Sequence, residues 1–191
     1  MTRAKTIPFP AGLPGPVTYK IPEGDNRIRA VCDTCGFVNY VNPRVVVGAV
    51  CTFEDRYLLC RRAIEPRTGY WTIPAGFLEE KESTEAGARR EAQEEAGVDI
   101  AIDALLAVYS IDRISQVQLI YRAVLPGPDL APGPETIEAR FFLWDEIPWT
   151  EIAFPSVHWA LHQHREVAGT QIFAPFVNPA GETSDFSQHG L

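Results

Sequence analysis

Residues 83–97 spell out a helix with both ends marked, and no other part of the chain is so tightly constrained. Thr84 to Ala96 holds only helix-compatible residues apart from Gly87. Ser83 can accept a hydrogen bond from the first-turn amides, and Glu85 suits the positive end of the helix dipole. Gly97 can take the left-handed conformation that closes a helix, with Val98 placed to pack back on the last turn. At about 100° per residue, Glu91, Glu94 and Glu95 fall within an arc of roughly 100° on one face. Ala88, Ala92 and Ala96 form an adjoining stripe of small side chains, which lets the helix lie close on a sheet with its acids bordering the packed face. Gly87, one turn before Glu91, costs about 1 kcal/mol relative to Ala and leaves room on the acidic side for a ligand or an incoming loop.

Like charges at this spacing repel, so helix stability does not favour the cluster. A divalent cation would favour it: Mg²⁺ takes hard oxygen ligands and commonly binds through a few carboxylates together with substrate phosphates. The competing reading is a solvated acidic face balanced by Arg90, whose i,i+4 partner is Glu94. Spacing alone leaves both open.

The flanking text predicts an α/β domain. Residues 45–53 and 57–60 are apolar and β-branched around a turn at Glu54-Asp55-Arg56, and read as a hairpin. Trp71 and Pro74-Ala75-Gly76 fall in a loop before the helix. Residues 104–111, 117–125 and 139–144 are rich in Val, Ile, Leu, Tyr and Phe and read as further strands, while the Pro and Gly density of 126–134 dictates a loop. A second helix is expected after Pro155, with Val157, Ala160, Leu161 and Val167 on or near one face and Gly169 as its stop. Residues 1–29 read as an extended arm or small module, and the tail from Ala174 as irregular.

Gly76, Glu82, Arg90, Glu91, Ala92, Glu94, Glu95, Gly97 and Val98 together resemble the complete Nudix box, G-x5-E-x7-R-E-U-x-E-E-x-G-U with U aliphatic. The resemblance implies a loop–helix–loop held in an α/β/α sandwich with a mixed sheet. It also implies an Mg²⁺- or Mn²⁺-dependent hydrolase with Glu91, Glu94 and Glu95, and the Gly76 carbonyl, as metal ligands, while Glu82 and Arg90 brace the loop against the helix. Family members often use a further acid beyond the box, for which Glu138 and Glu135 are the candidates by position. Trp71, Tyr70, Phe77 and Arg61 lie near the box and are candidates for substrate contact or for core packing. Every box acid is present, which favours an enzyme over the alternative, a non-catalytic Nudix-fold domain that senses nucleotides.

Beyond the box, Cys32-Asp33-Thr34-Cys35-Gly36, Asn42-Pro43, Leu58-Leu59-Cys60-Arg61-Arg62 and Ala131-Pro132-Gly133-Pro134-Glu135 resemble the Nudix subgroup with an N-terminal zinc-ribbon-like segment, which includes FAD and ADP-ribose pyrophosphatases. That resemblance implies a diphosphate of nucleotide type as substrate, FAD or ADP-ribose preferred, and a homodimer. It divides the chain into an N-terminal arm or degenerate zinc-ribbon-like segment (1–42), a hydrolase domain (43–170) and an irregular tail (171–191). Cys32 and Cys35 are half of a four-ligand zinc site, and the other half is missing where Ala11-Gly12-Leu13-Pro14-Gly15-Pro16 stands, which argues against zinc. The residues after Cys35 read as turn and strand, so a thioredoxin-like redox site, which needs a helix start there, is not expected. His158 and His162 lack the Glu of a metalloprotease helix and, with His164, read as ordinary exposed helix residues.

A net charge of −8 repels phosphate backbones, so a small anionic ligand held through metal is expected and long nucleic acid is not. No apolar run approaches the roughly 20 residues needed to span a bilayer, and the start lacks a signal-peptide core, so a cytoplasmic location is expected.

Overall fold

The computed structural model describes residues 15–182. By contact density the chain separates into two compact units, Met1–Asn42 and Pro43–Leu191. In the small unit β1 (Thr18–Lys20), β2 (Arg29–Val31) and β3 (Val38–Asn39) pair antiparallel in that order. The arm expected at 1–29 therefore contains one short strand, β1, and ends where β2 begins, both too brief to leave a periodic signal. Residues 11–14 of the missing cysteine knuckle lie outside the described residues.

The large unit is built on a mixed sheet ordered β10-β5-β4-β9-β8, made of β4 (Arg44–Phe53), β5 (Arg56–Arg62), β8 (Ala101–Ile111), β9 (Gln116–Val124) and β10 (Thr136–Phe142). β4 and β9 run parallel and the other pairs antiparallel. One helix covers each face. α1 (Thr84–Ala96) lays Ala88, Ala92 and Ala96 on Val47, Ala49, Cys51, Leu58 and Cys60. α2 (Pro155–Glu166) lays Val157, Ala160 and Leu161 on the opposite layer with Val50, Leu59, Leu106 and Ile120. This is the expected α/β/α sandwich. Among the described residues no helix is long and apolar enough to cross a membrane.

α1 has the predicted bounds because its ends are chemically fixed. The Ser83 hydroxyl accepts from the Ala86 amide at 3.2 Å, and Gly97 closes the helix with φ of 69°. α2 starts on Pro155 but ends at Glu166, before Gly169. The tail is partly regular: the Phe176 amide donates to the Leu106 carbonyl and the Val108 amide to the Phe176 carbonyl, so this segment lines the edge of β8.

The hairpin is real only at its tip. β4 and β5 pair through Thr52 with Tyr57 and Phe53 with Arg56, then part. Into the gap run β6 (Trp71–Thr72), paired with β5, and β7 (Ala75–Phe77), paired with β4, where a loop was expected. Gly48 makes this wedge possible: a Cβ there would collide with the Ala75 side chain and stand 2.6 Å from the Pro74 carbonyl oxygen. The wedge delivers Ala75 and Gly76 to the acidic face of α1.

Candidate active site

Where β4 and β5 part, a cleft of about 960 Å³ opens beside α1. Glu91, Glu94 and Glu95 all line it, together with Gly76 and Phe77 from β7 and Glu135 from the loop before β10. Glu91 and Glu95 are buried, while the Glu94 side chain is 59% exposed, so the acidic arc straddles the border of the packed face.

Arg90 organises the acids. Its guanidinium donates twice to Glu82, with Nη2–Oε1 at 2.8 Å and Nε–Oε2 at 3.2 Å, and once to the Phe77 carbonyl at 3.0 Å. Glu82 also accepts from the Glu79 amide at 2.8 Å, so one bidentate pair ties the loop 77–82 to the helix. Arg90 holds the Glu82 carboxyl below the usual carboxylate range. The same guanidinium reaches Glu91 at 2.7 Å and Glu94 at 2.8 Å.

The buried acids are in tension with their surroundings. Burial pushes the Glu95 carboxyl up to about 8, against the Ala75 amide that donates to Oε2 at 3.0 Å; Glu91 and Glu135 push it further and Arg62 opposes them. Burial also raises Glu91, with Arg90 opposing. A carboxyl raised by folding prefers its protonated form in the folded protein. Without metal, stability from this source is therefore fully present below pH about 4.5 and lost as pH rises through about 8. Chemical denaturation of metal-free protein across that window should show the fall, and Glu95→Gln should flatten it.

The donor set fits a hard divalent ion. Three carboxylates and a glycine carbonyl offer oxygen donors of the kind such an ion takes, and burial disfavours the charged form of Glu91 and Glu95 when no cation is near. Gly76 forms a cradle: a Cβ built there would collide with both carboxylate oxygens of Glu91. Gly76→Ala should therefore displace Glu91, lower turnover, and destabilise the protein by about 1–3 kcal/mol through overpacking, as read by activity and melting together. Among the described residues no three His, Cys, Asp or Glu side chains are grouped as metal ligands. Glu91 and Glu94 instead turn onto Arg90, and Glu95 onto the Ala75 amide, the positive groups at hand.

Several expected site residues lie elsewhere. Trp71 is 6% exposed and packs edge-on to Phe142 at 5.0 Å, so it belongs to the core and not to the cleft. Arg61 donates to the Gly69 carbonyl at 2.8 Å and faces a separate shallow pocket with Tyr70. Glu138 stands opposite Arg61 on β5, outside the cleft wall, because the strand register shifts between Thr136 and Glu138. Glu135 is the acid brought to the cleft. The loop before it folds onto the end of α1, with the Ala131 amide donating to the Ala96 carbonyl at 2.8 Å. Phe77 does line the cleft, 46% exposed, with the Arg44 guanidinium 5.0 Å from its ring.

Residues without a local signal complete the wall: Arg62, whose guanidinium lies 5.2 Å from the Phe154 ring, then Phe154 itself, Arg113 and Gln118. They come from three distant stretches, and only the splayed sheet assembles them. Cys32 and Cys35 are in the small unit as free thiols. His158 and His162 pack on Trp149, and His164 is buried against Tyr57, not exposed as expected, with burial pushing it down to about 4.

Known proteins share this fold. The chain matches the NUDIX domain over residues 42–160 and therefore belongs to the Nudix family. Within that family it is a pyrophosphohydrolase. The Nudix N-terminal family matches residues 14–41. A crystal structure of a NUDIX hydrolase from Nitrosomonas europaea is 43% identical, with a TM-score of 0.79 over 85% of this chain and 93% of that one. An ADP-ribose pyrophosphatase from Methanocaldococcus jannaschii is 31% identical over 57% of this chain and 67% of its own length. The NAD-capped RNA hydrolase NudC of Stutzerimonas stutzeri is 34% identical over 61% of this chain but only 42% of its own, so the chain spans less than half of that relative.

Proposed function

We propose that the cleft hydrolyses the diphosphate linkage of a nucleoside diphosphate joined to a second moiety, with FAD or ADP-ribose preferred and Mg²⁺ or Mn²⁺ as the metal. The observation that carries this reading is the convergence of Glu91, Glu94, Glu95 and Gly76 on one cleft of about 960 Å³, the size range of small-ligand sites. The archaeal relative's activity supports ADP-ribose, and overall resemblance supports FAD.

Glu91, Glu94, Glu95 and the Gly76 carbonyl would hold the metal, which when bound supplies neutralisation of diphosphate charge and a more acidic water. Glu82 and Arg90 keep the Gly76 loop seated on α1. Glu135 would accept the proton of the attacking water, a role supported by its position in the cleft wall near Glu91 and Glu95. The exposed Phe77 ring offers a stacking surface for a base or flavin. The reading extends to a homodimer on resemblance alone, and to a cytoplasmic location on the sequence pattern alone.

A product-release panel with Mg²⁺ and Mn²⁺ over FAD, ADP-ribose, NADH, CoA and diadenosine polyphosphates tests the proposal. AMP should appear fastest from FAD or ADP-ribose. Silence across the panel with tight binding of one member would make the protein a nucleotide sensor.

A further inference from the structure

The small unit is identified with a Nudix N-terminal family of zinc-ribbon type, yet it lacks the means to hold zinc. A structural zinc site takes four Cys or His ligands. Residues 1–42 contain Cys32, Cys35 and no histidine. Cys51 and Cys60 cannot make up the number, being 0% and 1% exposed in β4 and β5. Among the described residues no three Cys, His, Asp or Glu side chains are grouped as a metal site.

Something else must hold the strands, since three strands of three, three and two residues are marginal alone. Asp25 supplies one tie. Its Oδ1 accepts from the Asn26 and Arg27 amides at 2.7 and 3.1 Å, fixing the turn between β1 and β2. Its Oδ2 accepts from Arg29 Nε at 3.0 Å, and the Arg29 guanidinium lies 5.1 Å from the Tyr40 ring, just past β3. The Asp25 and Arg29 side chains are only 13% and 24% exposed, so solvent screens this pair less than a surface one.

The knuckle itself has been turned to another use. Its backbone closes normally, with the Gly36 amide donating to the Cys32 carbonyl and the Cys32 amide to the Phe37 carbonyl, both at 2.8 Å. Asp33, between the cysteines, accepts from Lys20 Nζ at 3.0 Å and from the Thr18 hydroxyl, linking the knuckle to β1. We infer that the ribbon of this chain is metal-free: the Asp25–Arg29–Tyr40 chain, with Asp33 gripping β1, replaces the ion, and Cys32 and Cys35 remain a free thiol pair.

The inference is independent of the hydrolase reading and is tested on the full chain. Protein expressed with added zinc and purified without chelator should carry no more zinc by elemental analysis than its Cys35→Ser variant, and a zinc-selective chelator should shift the melting of the two proteins equally. Under limited proteolysis Arg29→Ala should expose residues 15–42 to cleavage several-fold faster than wild type, while Cys35→Ser should not. Zinc near one ion per chain that is lost in Cys35→Ser overturns the inference, and so does zinc near one per two chains lost in the same variant, which would mean a site shared between copies. Arg29→Ala as resistant as wild type, or Cys35→Ser as sensitive as Arg29→Ala, overturns the clamp.

Discussion

Glu94→Gln should leave the protein folded and reduce its turnover by about 10²–10⁴-fold, the usual range for loss of one group at the reacting centre. Two observations separate these effects. The Glu94 side chain is 59% exposed and pairs with Arg90, an i,i+4 surface pair contributing about 0.3–0.5 kcal/mol. Yet it lines the cleft together with the two buried acids of α1 and is the one of the three exposed to solvent. A carboxamide keeps the shape and removes the charge. Steady-state kinetics beside a melting curve reads both quantities, and full turnover in the variant would remove Glu94 from the chemistry.

Trp71→Ala should have the largest effect on stability, about 3–5 kcal/mol, with a fall in melting temperature of roughly 6–20 °C. Trp71 is 6% exposed, meets Phe142 edge-on at 5.0 Å, and carries backbone links that hold the wedge in place. Its carbonyl accepts from the Ala153 amide at 2.7 Å, and it pairs with Arg61 across β5. Truncation would empty the core beneath the strand that leads to Gly76. The discriminating readout is the ratio of kinetic constants below the new melting point. A Trp that stacked on substrate would raise KM for ring-bearing substrates selectively. A core Trp should lower stability without that selectivity, which is the expected result.

α1 was fully legible because its ends are written in side-chain and backbone chemistry, Ser83 at one and Gly97 at the other, and its faces in a 3.6-residue period. The Glu82–Arg90 brace was legible only through the resemblance, since nothing in the spacing says that a guanidinium eight residues on will fork onto that carboxylate. The Trp71–Phe77 wedge was not legible. Its strands are two and three residues long, and what places them is the parting of β4 from β5 and the space left by Gly48. Trp71 was consequently ambiguous between core and substrate. The choice between Glu135 and Glu138 fails for a similar reason: a register shift in β10 changes which acid faces the cleft, and no residue pattern marks it.

Mn²⁺ binding measured by electron paramagnetic resonance, in wild type and in the Glu91→Gln/Glu94→Gln/Glu95→Gln triple variant, bears most directly on the central claim. Wild type should bind Mn²⁺ and bind it more tightly with ADP-ribose present, because the carboxylate wall and the diphosphate share the ion. The triple variant should lose that binding while keeping its circular dichroism spectrum. Equal Mn²⁺ affinity in the two proteins would place the metal elsewhere and contradict the account.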